Sequence, residues 1–265
     1  MKIGIHSDLH TEHSLCEISN LSELDLLVLA GDIGNLQTVN ILFKKIREKT
    51  QNLPILYVLG NHEFYGLHYP EAKEDYRAIC KKHNITLLDN EVYQAGDTVF
   101  LGTTLWTNFD LAEKQSESMN WAKYHISDFS EIFNKQGDNP SPFLTPETML
   151  KEFQVAHEFL SFELKKAKEA ALKTVVVSHF LPAIELVAEQ FILRLGGRMR
   201  SAYWASDLYE LFPCVDYWIY GHSHTNIETQ AITAETEFLC NQRGYSRVFD
   251  QSEPNGYKRN YIVSI

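Results

Sequence analysis

Six short apolar runs, each closing on a polar cluster, govern what this chain can fold into. They are Lys2–His6, Asp25–Ala30, Pro54–Leu59, Thr98–Leu101, Thr174–Val177 and Val215–Tyr220. Their length and β-branched content read as strands buried on both faces. Helical periodicity lies between several of them. Val39, Leu42, Phe43 and Ile46 recur at i, i+3, i+4 and i+7 behind a candidate cap at Asn35. Ala72, Tyr76, Ile79 and Cys80 repeat that pattern. Thr145-Pro146 combines an N-cap residue with proline at the first helical position. Behind it Met149, Phe153, Ala156, Leu160, Leu164 and Ala167 keep one apolar face. Strands alternating with helices predict an α/β layered fold. With 44% apolar residues, the 265-residue chain is expected to form a single domain over 1–265.

Charge and cysteine usage narrow the function. Lys and Arg number 24 against 35 Asp and Glu, a net charge of −11. So acidic a balance argues against tight binding of duplex nucleic acid, which needs a basic surface. It is compatible with hydrolysis of a small phosphorylated substrate, because bound metal ions supply local positive charge. Cys16, Cys80, Cys214 and Cys240 show no CxxC spacing, so neither a zinc knuckle nor a redox pair is expected. Polar residues arrive too early for a signal-peptide core. No apolar run approaches the ~20 residues of a membrane helix. A reduced, cytoplasmic protein is the expectation. Residues 107–144 lack strand signals and end in Gly137-Asp138-Asn139-Pro140-Ser141-Pro142. They read as a partly helical insertion, a lid or cap. Ile227–Ala231 and Glu235–Cys240 read as the arms of a hairpin.

The chemistry lies in the polar clusters. Asp8-Leu9-His10, Gly31-Asp32, Gly60-Asn61-His62-Glu63, Ser178-His179 and Gly221-His222-Ser223-His224 each follow a predicted strand. Sites in α/β sheets form beyond the carboxyl ends of strands. Five strand ends are therefore expected to bring carboxylate, amide and imidazole groups together. Asp8 and His10, two apart, would point the same way on an extended strand end. Singly the clusters are weak. An Asp after Gly is usually a turn or a cap, and His179 alone reads as a core histidine. The ordered set is the signal, and the His222/His224 pair is its strongest member. Asp8, His10, Asp32, Asn61, His179, His222 and His224 offer N and O donors without a thiolate. That set suits Mn, Fe, Zn or Co. It exceeds one tetrahedral ion and suffices for two if a carboxylate bridges them. Two ions ~3.5–4 Å apart form a clamp for in-line displacement at phosphorus.

At these residues the chain resembles the calcineurin-like metallophosphoesterase family, whose signature the motifs match in order from residue 8 to 224. The resemblance implies a four-layer α/β/β/α sandwich. It implies that Asp8, His10, Asp32 and His224 hold one ion, and that Asp32, Asn61, His179 and His222 hold the other, with Asp32 bridging. It also implies that His62 contacts the phosphate or protonates the leaving group, and that Glu63 orients its neighbours. Leu105-Trp106-Thr107-Asn108-Phe109, Ser127-Asp128-Phe129, Leu144-Thr145-Pro146-Glu147 and Asn241-Gln242-Arg243-Gly244-Tyr245 look like a bacterial and phage subgroup of that family. The subgroup usually carries a second His after the His179 position and a Pro before the Arg243 position. Phe180 and Gln242 stand there instead, and neither position is a family metal ligand.

The expected reaction is hydrolysis of a phosphomonoester or phosphodiester by a hydroxide bridging two divalent or transition metal ions, Mn, Fe or Zn. Asp32 and His62 are the expected catalytic residues, His62 being the imidazole available to protonate an alkoxide. Arg243 is a candidate for a bidentate phosphate contact, with a surface salt bridge as the alternative. Asn108 and Tyr245 are further candidates for the pocket wall. Residues 107–144 and the Arg194–Arg200 segment are expected to border its mouth. Two alternatives stand beside this reading. A nuclease of the same family would need a basic groove, and the only Arg cluster is Arg194, Arg198 and Arg200. A non-catalytic scaffold would not need all seven donors.

Overall fold

A computed structural model describes residues 1–134, 142–226, 232–245 and 256–265 of the chain. Among them lie strands β1 (Lys2–His6), β2 (Leu26–Ala30), β3 (Ile55–Val58), β4 (Thr86–Leu87), β5 (Glu91–Ala95), β6 (Thr98–Thr103), β7 (Lys173–Ser178), β8 (Tyr217–Ile219), β9 (Glu237–Leu239) and β10 (Ile262–Ser264). The helices are α1 (Leu36–Lys49), α2 (Tyr69–Lys82), α3 (Gln115–His125), α4 (Asp128–Glu131), α5 (Pro146–Glu169), α6 (Glu189–Leu195) and α7 (Arg198–Ser201). The six apolar runs become β1, β2, β3, β6, β7 and β8.

Two five-stranded sheets result, in the orders β10-β1-β2-β3-β4 and β5-β6-β7-β8-β9. Strands β1 to β4 run parallel, as do β6 to β9, while β10 and β5 are antiparallel edges. The sheets stack face to face. Ile3, Ile5, Leu26, Val28, Leu56 and Val58 of the first meet Phe100, Val175, Val177, Ile219 and Leu239 of the second in one buried cluster. The alternate residues look outward. Leu27, Leu29, Ile55 and Tyr57 belong to the cluster that also holds Val39, Phe43, Ala72 and Tyr76 of α1 and α2. Leu101, Val176 and Trp218 share that cluster with Met149, Leu160 and Leu164 of α5. Both faces of each inner strand are thus covered, which is why these strands read as unbroken apolar runs. The layers are α/β/β/α, as the resemblance implied.

The caps form where the sequence placed them. The Asn35 side chain accepts from Thr38 N–H, and Thr145 accepts from Thr148 N–H ahead of Pro146. Three strands escaped the sequence reading for physical reasons. β4 has two residues; β5 and β10 are edges, only partly buried. The expected second hairpin arm is realised as β9, which pairs parallel to β8 in the second sheet. The expected first arm, 227–231, lies outside the described residues, as does much of the Gly137–Pro142 stretch. The described part of 107–144 is partly helical, with α3 packed on α5 and α7. No helix among the described residues is long and apolar enough to cross a membrane.

Candidate metal centre

The loops that leave β1, β2, β3, β7 and β8 meet at one end of the sandwich. The β1 and β2 loops continue the ladder side by side: Asp8 N–H donates to Gly31 C=O at 2.9 Å and His10 N–H to Asp32 C=O at 3.0 Å. The β8 loop closes on them through His222 N–H, which donates to Asp8 Oδ1 at 2.9 Å. Space is tight enough that a Cβ on Gly221 would lie 2.7 Å from Asp8 Oδ2, and one on Gly60 would collide with the Asp32 carboxylate. Only glycine admits the neighbouring carboxylates there.

Asp8 and His10 do converge, but not through strand alternation. β1 ends at His6, and Asp8 and His10 sit in the left-handed region at φ 53° and 43°. Asp32, His222 and His224 do the same at 52°, 74° and 52°. Five of the seven candidate donors thus hold a sparsely populated backbone conformation, a strain that clusters at functional sites.

The side chains form three groups whose donor atoms lie within 4.8 Å of one another; His10, Glu12 and His62 make one, and the expected ligands make the other two. One is Asp8, His10, Asp32 and His224; the other is Asp32, His179 and His222. Asn61 joins the second, its Oδ1 lying 3.2 Å from His179 Nε2. Asp32 is common to both. Its Oδ2 is 3.7 Å from His10 Nε2 and 3.3 Å from His179 Nε2, while Oδ1 accepts from His62 N–H at 2.9 Å. All but His224 are buried.

These donors fit metal ions. His179 Nδ1 donates to Ala30 C=O at 2.9 Å, and His10 Nδ1 donates to Glu12 Oε1 at 2.9 Å. Outer partners of this kind fix the ring orientation and turn each Nε2 inward, where a metal ion would take its lone pair in place of a proton; without the ion, the Asp32 carboxylate outweighs burial and raises the His179 pKa to about 9. His10 Nε2 is hydrogen-bonded to His224 Nε2 at 2.9 Å. Burial first, then the neighbouring His179, holds the His222 imidazole well below its usual pKa. Its buried Nε2 has no hydrogen-bond partner among the described residues. An unpartnered buried nitrogen is costly unless a ligand takes its lone pair.

Glu63 locks two of the loops together. Its carboxylate accepts from the N–H groups of Asp32, Ile33 and Gly60 at 2.9, 2.7 and 2.7 Å, and from the Tyr57 hydroxyl at 2.7 Å. These bonds tie the β2 loop to the β3 loop.

His62 lies at the edge of the group. Its ring stacks on Tyr65 at 4.2 Å, and its Nε2 pairs with the Tyr245 hydroxyl at 2.9 Å. Burial alone would lower its pKa; the carboxylates of Asp32, Glu12 and Asp128 outweigh that and raise it to about 9. A cavity of about 700 Å³ opens beside it. His125, Ile126 and Ser127 of the 107–144 segment line this cavity, together with Arg194 and Tyr245. Arg198 turns instead to Leu111 C=O and Asp207, and Arg200 to Leu195 C=O. Asn108 lies off the cavity, its carbonyl bound by Gln115 and its N–H donating to Ser206. Arg243 points inward, donating to the carbonyls of Leu9 and Ser14 at 2.7 and 2.9 Å. It braces the β1 loop and does not line the cavity.

Sequence reasoning missed Asp128, at the start of α4. Its buried carboxylate accepts from Asn61 Nδ2 at 3.0 Å, Tyr65 OH at 2.8 Å and Tyr203 OH at 2.6 Å. Ser127-Asp128-Phe129 marked the subgroup resemblance, but no spacing rule ties it to the β3 loop.

The model of the calcineurin-like phosphoesterase family matches residues 1–226, which include every donor above. The uncharacterized protein L509 of Acanthamoeba polyphaga mimivirus is 26% identical over 279 residues, covering 95% of this chain and 94% of its own length. The family match spans most of the chain and ends just beyond His224, the last of the converging donors; the chain belongs to the calcineurin-like phosphoesterase family and is a phosphoester hydrolase.

Proposed function

We propose that this hydrolase works with two metal ions on a small phosphorylated substrate. Asp8, His10, Asp32 and His224 hold one ion. Asp32, Asn61, His179 and His222 hold the second, with Asp32 bridging. The observation that carries this reading is the position of Asp32, a buried carboxylate shared by both donor groups. Two bound ions supply Lewis acidity toward the phosphoryl oxygens and a water nucleophile of lowered pKa.

The chain's own residues do the rest. Glu63 and Asp128 hold Asp32 and Asn61 in place, so the donors need not reorganise during reaction. His62, its ring nitrogen facing the cavity and hydrogen-bonded to Tyr245, gives its Nε2 proton to the leaving oxygen as the P–O bond breaks. The Tyr245 hydroxyl, already bonded to that nitrogen, lies against the departing group. The active site belongs to the domain spanning 1–265, with His125, Ile126 and Ser127 forming part of the cavity wall.

Metal analysis after reconstitution of the metal-free protein with Mn(II) is expected to give two ions per chain. Phosphomonoesters, phosphodiesters and pyrophosphates would then be screened with Mn(II) present. One ion at saturation would overturn the two-ion reading. No turnover of any phosphoester, activated nitrophenyl esters included, would overturn the hydrolytic one.

A further inference from the structure

We infer that the cavity takes the base of a nucleoside phosphoester, a reading that rests on the hydrolytic function proposed above. The chain carries 35 carboxylates, yet Asp32 is the only one among the described residues lining the cavity, and Arg194 stands on its wall. The space therefore accepts an anion despite the acidic protein around it. Part of its wall is aromatic. Phe191 and Trp204, both partly buried, meet at 5.0 Å and 83°, a right-angled niche. Tyr203 joins this niche to the metal centre, 4.8 Å from Trp204 and 5.3 Å from His222, ring centre to ring centre. Trp204 stands one ring beyond the ring that touches His222. One sugar ring likewise separates phosphate from base in a nucleotide. Trp204 and Asp32 line the same cavity, so a flat heterocycle against Trp204 shares one space with the metal donors that would take its phosphate, and Gln190 and His125 stand on the wall. About 700 Å³ lies within the range of small-ligand sites. Base–aromatic stacking is tolerant of which base is bound.

With Mn(II), kcat/KM for adenosine 5′-monophosphate is expected to exceed that for glycerol 3-phosphate about tenfold or more, the scale of one base stack. If only diesters react, the nitrophenyl ester of adenosine 5′-phosphate and methyl nitrophenyl phosphate form the matched pair. Trp204→Ala should collapse the ratio about tenfold. A ratio near one, or a ratio untouched by both Trp204→Ala and Phe191→Ala, overturns the shelf while leaving hydrolysis standing. If no ester is turned over, calorimetric binding of adenosine 5′-monophosphate decides: weakening by Trp204→Ala supports the shelf, and no binding overturns it.

A separate observation carries a second inference: the geometry assigns Asp128 as a positioning residue for Asn61. One buried carboxylate holds the Asn61 amide, the tyrosine on which His62 stacks, and the tyrosine whose edge meets His222. With Asn61 Nδ2 donating to Asp128, the amide oxygen is turned toward His179 and away from solvent. Asp128→Asn is expected to weaken binding of one Mn(II) by about 10–100-fold, the usual scale for an outer partner, and to leave the other tight. A spin-resonance titration would read this as loss of the coupled pair and growth of a mononuclear signal. Added Mn(II) should restore turnover. Tyr65→Phe and Tyr203→Phe, which spare the bond to Asn61, should keep both ions tight. Melting of the metal-free variants separates a folding loss from a positioning loss, and Asp128→Glu should give the same asymmetry if Asp128→Asn does not fold. Two tight ions in Asp128→Asn, or equal weakening of both, would overturn the assignment.

Discussion

Asp32→Asn is expected to lose both metal ions and to reduce turnover beyond the about 10⁴-fold upper end for loss of a general acid. The substitution keeps volume and an acceptor for His62 N–H, so it tests charge rather than packing. Asp32 Oδ2 lies against both His10 and His179, and no other carboxylate belongs to both donor groups. Burial opposes its ionisation, but His179, His62 and His10 outweigh this and hold its pKa well below the usual carboxylate range. The native protein therefore presents an anion between the two sites. Asp8→Asn, by contrast, should weaken chiefly the ion of its own group. Elemental analysis and a Mn(II) titration read both variants. Retention of one ion at native affinity in Asp32→Asn would show that Asp32 serves a single site.

The two variants also bear on what the sequence could disclose. The inner strands were legible because residues such as Val28 and Leu29 are buried on opposite faces, one against the other sheet and one against helices. The parallel edge β9 was visible as a strand, yet its partner was not, since Phe238 and Leu239 carry no mark of direction. The donor residues were legible as a set because α/β topology puts strand carboxyl ends on one side. Their aim was not. Asp8 and His10 were assigned to strand alternation, whereas positive φ turns them, a property of loops that strand periodicity does not encode. Contacts across the fold were invisible too. Asp128 lies 67 residues from Asn61, and Arg243 spends its guanidinium on Leu9 and Ser14, 234 and 229 residues away. Such pairings depend on how the layers close, which no local pattern records.

His62→Ala is expected to retain both ions and to lower turnover by ~10²–10⁴-fold, the scale of a lost proton donor. Its link to Asp32 runs through the backbone N–H, which Ala keeps, so the metal centre should survive the change. Its side chain is the part that faces the cavity, with Nε2 on the Tyr245 hydroxyl and the ring flat on Tyr65. The deficit should shrink for a nitrophenyl ester, whose phenolate leaves without a proton, and grow for an alkyl ester, whose alkoxide needs one. Two other outcomes have distinct meanings. His10, Glu12 and His62 also bring donor atoms within 4.8 Å of one another, so loss of an ion in His62→Ala would make His62 a ligand. An equal deficit across leaving groups would place its charge on the phosphate instead. His62→Gln separates these cases further: it offers a hydrogen bond without a titratable proton. Recovery with alkyl esters would exclude proton donation, and a persistent deficit confined to them would leave His62 as the acid.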